Sequence, residues 1–197
     1  IFIDLNKSLK KFLKRILPLS ILNILKTIKS SRFLFKKYFL SKKIISTHKY
    51  KEYRDYVKFQ QEKTLDPDRI KRWFNEEWKV KYDGFQEIFK NNHEYIENKS
   101  NAICLGSRTG QEVKALIDMG INAKGIDLVP FPPYTIKGDI HDLKELDLSY
   151  DFIFTNIFDH SLYPEKFCSE MERVCQHGGI IIMQLQLGVD GDKYSEN

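Results

Sequence analysis

Glycine and carboxylate residues follow short apolar segments in the second half of the chain. Ala102–Leu105 is followed by Gly106–Gly110, and Asn122–Ile126 ends at Asp127. Glycines let the backbone turn tightly and approach a ligand closely, and a carboxylate at the next strand end can accept both hydroxyls of a ribose. Asp139 can accept a hydrogen bond from an exocyclic amine such as that of adenine. The spacing therefore predicts a site for a nucleoside.

The elements that must position these residues alternate between strand and helix. The pattern predicts strands at 102–105, 122–126, 134–137, 151–155 and 180–185, and helices at 111–119 and 164–175. Such alternation is typical of an α/β fold, a Rossmann-like doubly wound parallel sheet with helices on both faces. In these sheets ligands bind at the carboxyl ends of the strands, and the polar residues fall there, Asn156 included.

The second half of the chain, over about residues 100–197, resembles the class I S-adenosylmethionine-dependent methyltransferases. Five segments carry the resemblance. They are Ile103–Val113 for the glycine-rich first motif, Gly125–Leu128 for the ribose-binding strand end, Gly138–His141 for the adenine-binding motif, Asp151–Asn156 for the fourth strand, and Glu170–Gly179 for the helix and turn that the family writes as R-V-L-K-P-G-G.

The resemblance implies S-adenosylmethionine as cofactor and a set of residues that contact it. Asp127 would hold the ribose hydroxyls, Asp139 would accept from the adenine amine, and Ile140 would pack on the adenine ring. The full implied set is Gly106, Ser107, Arg108, Thr109, Gly110, Asp127, Leu128, Asp139, Ile140, His141 and Asn156. No metal is implied.

The sequence departs from the family pattern at three places. Arg108 stands at the middle glycine of the first motif, and Cys104 stands where the family has an acid. The arginine fork can meet the cofactor carboxylate instead. The family's sheet usually has seven strands, whereas the fifth predicted strand here is followed only by the polar run 191–197. We therefore expect the natural chain to continue.

Catalytic residues are predicted only after the fourth strand, where an acceptor would bind. His160 can act as a general base, with Asp159 or His141 orienting or assisting it. Many methyl transfers need only in-line placement of the acceptor, so positioning can supply most of the rate.

The implied function is methyl transfer to a small-molecule, lipid or glycan acceptor. A non-catalytic methyltransferase-like binding module is the first alternative. A nicotinamide-dependent oxidoreductase is the second, because it also uses a glycine loop and an acid at the second strand end.

Composition and charge divide the chain. With 42% hydrophobic residues, 14 Phe and 10 Tyr it can bury a core, and three cysteines exclude a disulfide framework. Residues 1–50 carry a net charge of +12 and residues 51–197 a net charge of −7. We expect a basic amphipathic arm over 1–50, a helical region over 51–99 with one long helix at 67–91, and the Rossmann-like domain over 100–197.

The sequence leaves three alternatives for what the basic arm contacts. Leu9, Phe12, Leu13, Ile16 and Leu17 make a helical apolar face among lysines. Residues 1–45 can lie on an anionic membrane, bind nucleic acid phosphates, or pack this face on the main domain. No apolar run reaches the roughly 18 residues of a membrane span. We expect a cytoplasmic protein with peripheral contact to a membrane.

Overall fold

The computed structural model describes residues 50–185. Its helices are α1 (Tyr53–Thr64), α2 (Pro67–Arg72), α3 (Trp78–Asn91), α4 (His93–Ile96), α5 (Gln111–Asp118) and α6 (Pro164–Val174). Its strands are β1 (Asn101–Leu105), β2 (Asn122–Asp127), β3 (Thr135–Lys137), β4 (Tyr150–Thr155) and β5 (Cys175–Met183). Apart from Tyr50, the predicted basic arm lies outside the described residues.

The five strands form one sheet in the order β3-β2-β1-β4-β5, and every neighbouring pair is parallel. The predicted α/β class and parallel sheet are thus confirmed. The central strands β1 and β4 are buried along nearly their whole length, as expected for strands with helices on both faces. Within residues 50–185, no helix is both long and apolar enough to cross a membrane.

Alternate residues of the central strands face two separate cores. Phe152 and Phe154 of β4 pack with Phe85 and Phe89 of α3 in edge-to-face contacts, with ring centroids 5.1–6.1 Å apart. Ile153 faces the opposite side, where α6 covers the sheet. The residues of the second core include Ile103, Leu105, Ile126, Phe167, Met171 and Val174. The period of two along each strand therefore produces the doubly wound arrangement.

The helix predicted over 67–91 is continuous from Pro67 to Asn91, and it contains a π turn at Trp73–Glu77 between α2 and α3. The expected apolar face included Phe74, but Phe74 is 43% exposed and Trp73 is 2% exposed. A π turn inserts one extra residue, which rotates the preceding helix by about 100° relative to the following one. That rotation brings Trp73, rather than Phe74, onto the side of Phe85.

The start of α2 follows the prediction. Asp66 is the N-cap, and its Oδ1 accepts from the backbone N–H groups of Asp68 at 3.0 Å and Arg69 at 3.1 Å. Pro67 occupies the first turn, where its missing N–H has no helical partner to lose.

The fifth strand begins earlier than predicted. It starts at Cys175 and runs through Gly178 and Gly179, which we expected to precede the strand at 180–185. The pairing with β4 shifts register between Tyr150 and Phe152. Gly178, with φ +76°, lies in the stretch of β5 where the register shifts. The fifth strand also ends two residues earlier than predicted, and the other predicted boundaries within the sheet domain coincide with those observed or lie one residue away.

Arg173 fastens α6 to the loop before β4. Its guanidinium donates to the carbonyls of Leu143 and Glu145 at 3.0 and 2.8 Å, and to the carboxylates of Asp147 and Glu170 at 2.7 and 2.8 Å. A planar fork with five donors can serve several acceptors at once. The arginine in the R-V-L-K-P-G-G-like segment thus has a structural use here.

Gly110, the residue before α5, is where we expect a side chain to be tolerated least. Its φ is +74°, and an added Cβ would lie 2.5 Å from Cβ of Tyr134. Gly120 is the matched control, since its φ is +87° and nothing lies within 4 Å. We expect Gly110→Ala to lower the free energy of unfolding by about 2–4 kcal/mol and Gly120→Ala by about 1–2 kcal/mol, measured by urea unfolding. Equal losses would contradict the close approach to Tyr134.

Candidate functional site

The parallel sheet brings the predicted site residues to one edge. The loop after β1 lies beside the end of β2, where Gly106 N–H donates to the carbonyl of Ile126 at 2.7 Å. Gly138 N–H donates to the carbonyl of Asp127 at 3.0 Å, which ties the end of β3 to the end of β2. Asn156 follows β4 and lines a cavity with the glycine loop.

Asp127 organises the loop above it. Its carboxylate accepts the backbone N–H of Arg108 at Oδ2 and that of Val129 at Oδ1, both at 2.9 Å. Burial raises the pKa of this carboxyl, and those two N–H groups oppose the rise. A carboxylate has about four lone-pair positions, so Asp127 keeps the capacity to accept from two further donors.

The backbone of the loop is left-handed at three positions. Gly106, Arg108 and Gly110 have φ of +76°, +38° and +74°. Arg108 is the unusual member, because a residue with a Cβ is strained there. Its guanidinium lies 4.0 Å from the ring centroid of Trp73, a cation–π contact that offsets part of this strain.

A buried carboxyl stands near the position where the sequence lacks its expected acid. Cys104 is fully buried in β1, and burial together with the nearby Glu112 raises the pKa of its thiol. Glu112 lies in the first turn of α5 and is itself buried. Burial raises the pKa of the Glu112 carboxyl to about 8, although its backbone and Arg108 oppose the rise. Sequence reasoning missed Glu112, whose polarity gave no sign of burial.

A polar cavity of about 340 Å³ lies between the glycine loop and the α2–α3 segment. Its walls carry Arg69, Arg72, Trp73, Glu77, Lys81, Phe85, Gly106, Ser107, Arg108, Thr109, Gln111, Glu112, Asn156, Ile157 and His160. Glu77 pairs with Arg72 and Lys81, each at 2.7 Å. Among the residues described, Gln111 Nε2 and Ser107 Oγ are buried without a hydrogen-bond partner. This cavity has the size and polarity for a small polar ligand.

The other half of the edge is filled by α1. Tyr56, Gln60, Lys63 and Thr64 of α1 are buried over the strand ends. A cavity of only about 50 Å³ remains between them and the loop residues, where it is lined also by Asp127, Leu128 and Ile140.

Asp139 is already engaged by α1. Both of its carboxylate oxygens accept from the Tyr53 hydroxyl, at 2.6 and 2.8 Å, and Oδ1 also accepts from the backbone N–H of His141 at 2.8 Å. Burial acts against ionisation, but the hydrogen bonds from His141 and Tyr53 hold the pKa of Asp139 below its usual value. Tyr53 was also missed, since no motif marks its segment.

The two catalytic candidates lie together in a short 3₁₀ turn after β4. His160 Nε2 is 3.9 Å from Asp159 Oδ2, and His160 borders both cavities. His141 is directed elsewhere, with its Nδ1 2.8 Å from the Tyr53 hydroxyl and its Nε2 2.8 Å from Ser161 Oγ. The structure thus directs His141 away from His160, and it leaves Asp159 beside His160 but beyond hydrogen-bond distance. Over residues 50–185, no group of three His, Cys, Asp or Glu residues is arranged to hold a metal ion.

A family model described as a methyltransferase domain matches residues 103–183, which run from β1 to β5. No curated protein matches the chain.

Several solved structures are similar to it. The PH0226 protein of Pyrococcus horikoshii OT3 is 20% identical with a TM-score of 0.47, over 53% of this chain and 57% of that one. A SAM-dependent methyltransferase from Archaeoglobus fulgidus is 16% identical with a TM-score of 0.44, over 55% and 56%. A SAM-dependent methyltransferase from Thermotoga maritima is 19% identical with a TM-score of 0.44, over 67% and 60%. The chain thus spans between half and two thirds of each of these proteins.

The methyltransferase-domain model thus matches the segment from β1 to β5, and the five-stranded all-parallel sheet of that segment fits a class I methyltransferase fold. The cofactor that this family implies is S-adenosylmethionine.

The residue types at the sheet edge are those that bind the groups of this cofactor. With α1 in place, however, the cavity is too small to hold the whole molecule. Two carboxylates and a glycine loop meet at the strand ends, and a polar cavity of about 340 Å³ adjoins them. The space on the nucleoside side is about 50 Å³, whereas sites for molecules of this size have roughly 300 Å³ or more.

Glu112 makes the stability of the domain depend on pH. Its carboxyl has a pKa of about 8 in the folded chain against 4.5 ordinarily, so between these values the folded state binds the extra proton. The free energy of unfolding therefore falls as pH rises through this window, by at most about 1.4 kcal/mol per pH unit. We expect Glu112→Gln to remove this fall, measured by urea unfolding between about pH 5 and 8.

Glu87→Gln, on the exposed side of α3, is the matched control and should keep the wild-type profile. If the Glu112→Gln and wild-type profiles stay parallel, the buried carboxyl is not neutral and the assignment is wrong.

Proposed function

We propose that this chain transfers the methyl group of S-adenosylmethionine to a small-molecule, lipid or glycan acceptor. The observation that carries the proposal is the meeting of the Gly106–Gly110 loop, Asp127 and Asp139 at one sheet edge of a methyltransferase domain. When bound, the cofactor supplies a methyl group on a strongly electrophilic sulfonium.

We assign the nucleoside half to the ends of β2 and β3. Asp127 accepts from the ribose hydroxyls with the lone pairs that its two backbone donors leave free. Leu128 and Ile140 border the same space and supply its apolar surface. Asp139 accepts from the adenine amine, and the buried His141 holds Asp139 in place through its backbone N–H.

We assign the amino-acid half to the larger cavity. Arg108 pairs with the cofactor carboxylate, since a guanidinium binds a carboxylate through two parallel hydrogen bonds. Glu112 accepts from the ammonium group of the cofactor. It is the buried carboxyl close to Cys104, which stands where the family has an acid. Ser107, Thr109 and Asn156 complete the polar wall.

The acceptor enters where the larger cavity reaches His160. Methyl transfer would require in-line placement of the acceptor, and the residues that line this cavity would provide it. Where the acceptor must lose a proton, His160 takes it and Asp159 stabilises the resulting imidazolium. Metabolite profiling of cells with and without the full-length protein would identify the acceptor.

A second candidate function, a non-catalytic binding module, is favoured by one observation, the filling of the nucleoside side by α1. A module of this kind would transfer no methyl group to any acceptor, whether or not it binds S-adenosylhomocysteine. Incubation with radiolabelled S-adenosylmethionine and a metabolite extract distinguishes the two functions.

Asp127 tests the cofactor assignment. We expect calorimetric titration to detect binding of S-adenosylhomocysteine and not of NAD. We expect Asp127→Asn to weaken the affinity for S-adenosylhomocysteine by about 10-fold or more, because one charged acceptor is lost. Asn keeps an oxygen for only one of the two loop amides, so urea unfolding checks that the fold survives. Asp83→Asn, on the surface of α3 in a pair with Lys79, should bind as wild type. Binding of NAD alone would reverse the assignment.

For the arm, we propose weak association of residues 1–45 with anionic membranes. Basic residues near such a surface contribute about 1 kcal/mol each, and apolar insertion adds to this. We expect Phe12→Ser with Ile16→Ser to abolish sedimentation with phosphatidylserine vesicles while sparing retention on a phosphate polymer. If the wild type ignores the vesicles but binds RNA, the arm is a nucleic-acid tether. If it does neither, its apolar face packs on the main domain.

A further inference from the structure

Helix α1 meets the strand ends through polar and aromatic side chains, where a helix that only covers a core would present aliphatic ones. Tyr56, Gln60, Lys63 and Thr64 are buried there, and the Tyr56 hydroxyl donates to the carbonyl of His160 at 2.8 Å. Polar groups buried in this way lose little when they return to water, because water replaces their partners. The contact is therefore one that can open.

The Tyr53 hydroxyl holds the centre of this contact. It donates to Asp139 at 2.6 Å and lies 2.8 Å from His141 Nδ1, and its ring stacks on Tyr163 with centroids 5.6 Å apart. Asp139 thus receives from a phenol the hydrogen bond that the proposed function assigns to a ligand amine. Tyr53 and the ligand amine therefore use the same carboxylate, on which the Tyr53 hydroxyl already contacts both oxygens.

The volumes lead to the same conclusion. With α1 docked, the space beside Asp127 and Ile140 is about 50 Å³, enough for a water molecule and far below that of a nucleoside. Docked α1 and a bound nucleoside therefore exclude each other.

We propose that α1 is a displaceable gate that closes the nucleoside half of the site through Tyr53. The proposal rests on the proposed function, since it takes Asp127 and Asp139 as nucleoside ligands. Ligand binds only the open fraction, so its apparent affinity is the intrinsic affinity multiplied by that fraction. Leu65 and Asp66, between α1 and α2, are the connection about which the helix swings.

Tyr53→Phe tests the gate, since it keeps the ring and removes the hydroxyl. In the ligand-free chain we expect faster hydrogen–deuterium exchange in peptides spanning α1, with β1 unchanged. In calorimetric titration we expect S-adenosylhomocysteine to bind about 10-fold more tightly, the factor for one hydrogen bond to a charged group. Tyr95→Phe, an exposed tyrosine in α4, is the matched control and should change neither measurement.

Addition of S-adenosylhomocysteine to the wild type distinguishes a helix that the ligand displaces from a helix that forms part of the binding surface. A gate predicts faster exchange in α1 when ligand is bound. Slower exchange there, or weaker binding by Tyr53→Phe, would make α1 part of the binding surface and overturn the proposal. Equal affinity in the two proteins would also overturn it, while leaving the proposed function intact. If neither protein binds S-adenosylhomocysteine, the proposed function fails, and the gate fails with it.

Discussion

The buried carboxylate of Asp127 is the interaction on which the geometry of the site depends. By accepting two backbone N–H groups, it joins the loop after β1 to the loop after β2. The loop held in this way has left-handed backbone at Arg108 and Gly110, and α5 begins directly after Gly110. Hydrogen bonds to a charged acceptor are about twice as strong as neutral ones. One side chain can therefore hold a strained loop that its own sequence disfavours.

The sheet beneath this loop is rigid for a different reason. Its central strands are buried on both faces, with aromatic rings of α3 against one face and aliphatic side chains of α6 against the other. Removing a side chain from such a core leaves a cavity that the structure refills only in part. The strand ends are thus well supported, whereas α1 meets them through polar and aromatic side chains. This difference in packing is the physical basis of the proposed gate.

The two halves of the site differ in electrostatics. The larger cavity is lined by three arginines, of which Arg69 and Arg108 lie 5.1 and 4.0 Å from one tryptophan ring, and by Glu112, whose pKa burial raises to about 8. The proposed nucleoside half carries two carboxylates that are already hydrogen-bonded. A ligand with a carboxylate at one end and hydroxyl or amine donors at the other complements this division. S-adenosylmethionine has these groups.

Much of the fold could be predicted from the sequence, because its signals are local. The apolar segment before Gly106, the Asp66–Pro67 helix start and the alternation of strand and helix each depend on neighbouring residues, and the structure has them as predicted. The roles of Cys104 and Arg108 could be questioned from sequence for the same reason. The π turn at Trp73, the burial of Glu112 and the bond between Tyr53 and Asp139, 86 residues apart, depend on packing between distant segments. Only the tertiary structure decided them. Which face of a helix is buried, and which carboxyl is buried, depends on the segment that packs against it, and the local sequence does not contain that information.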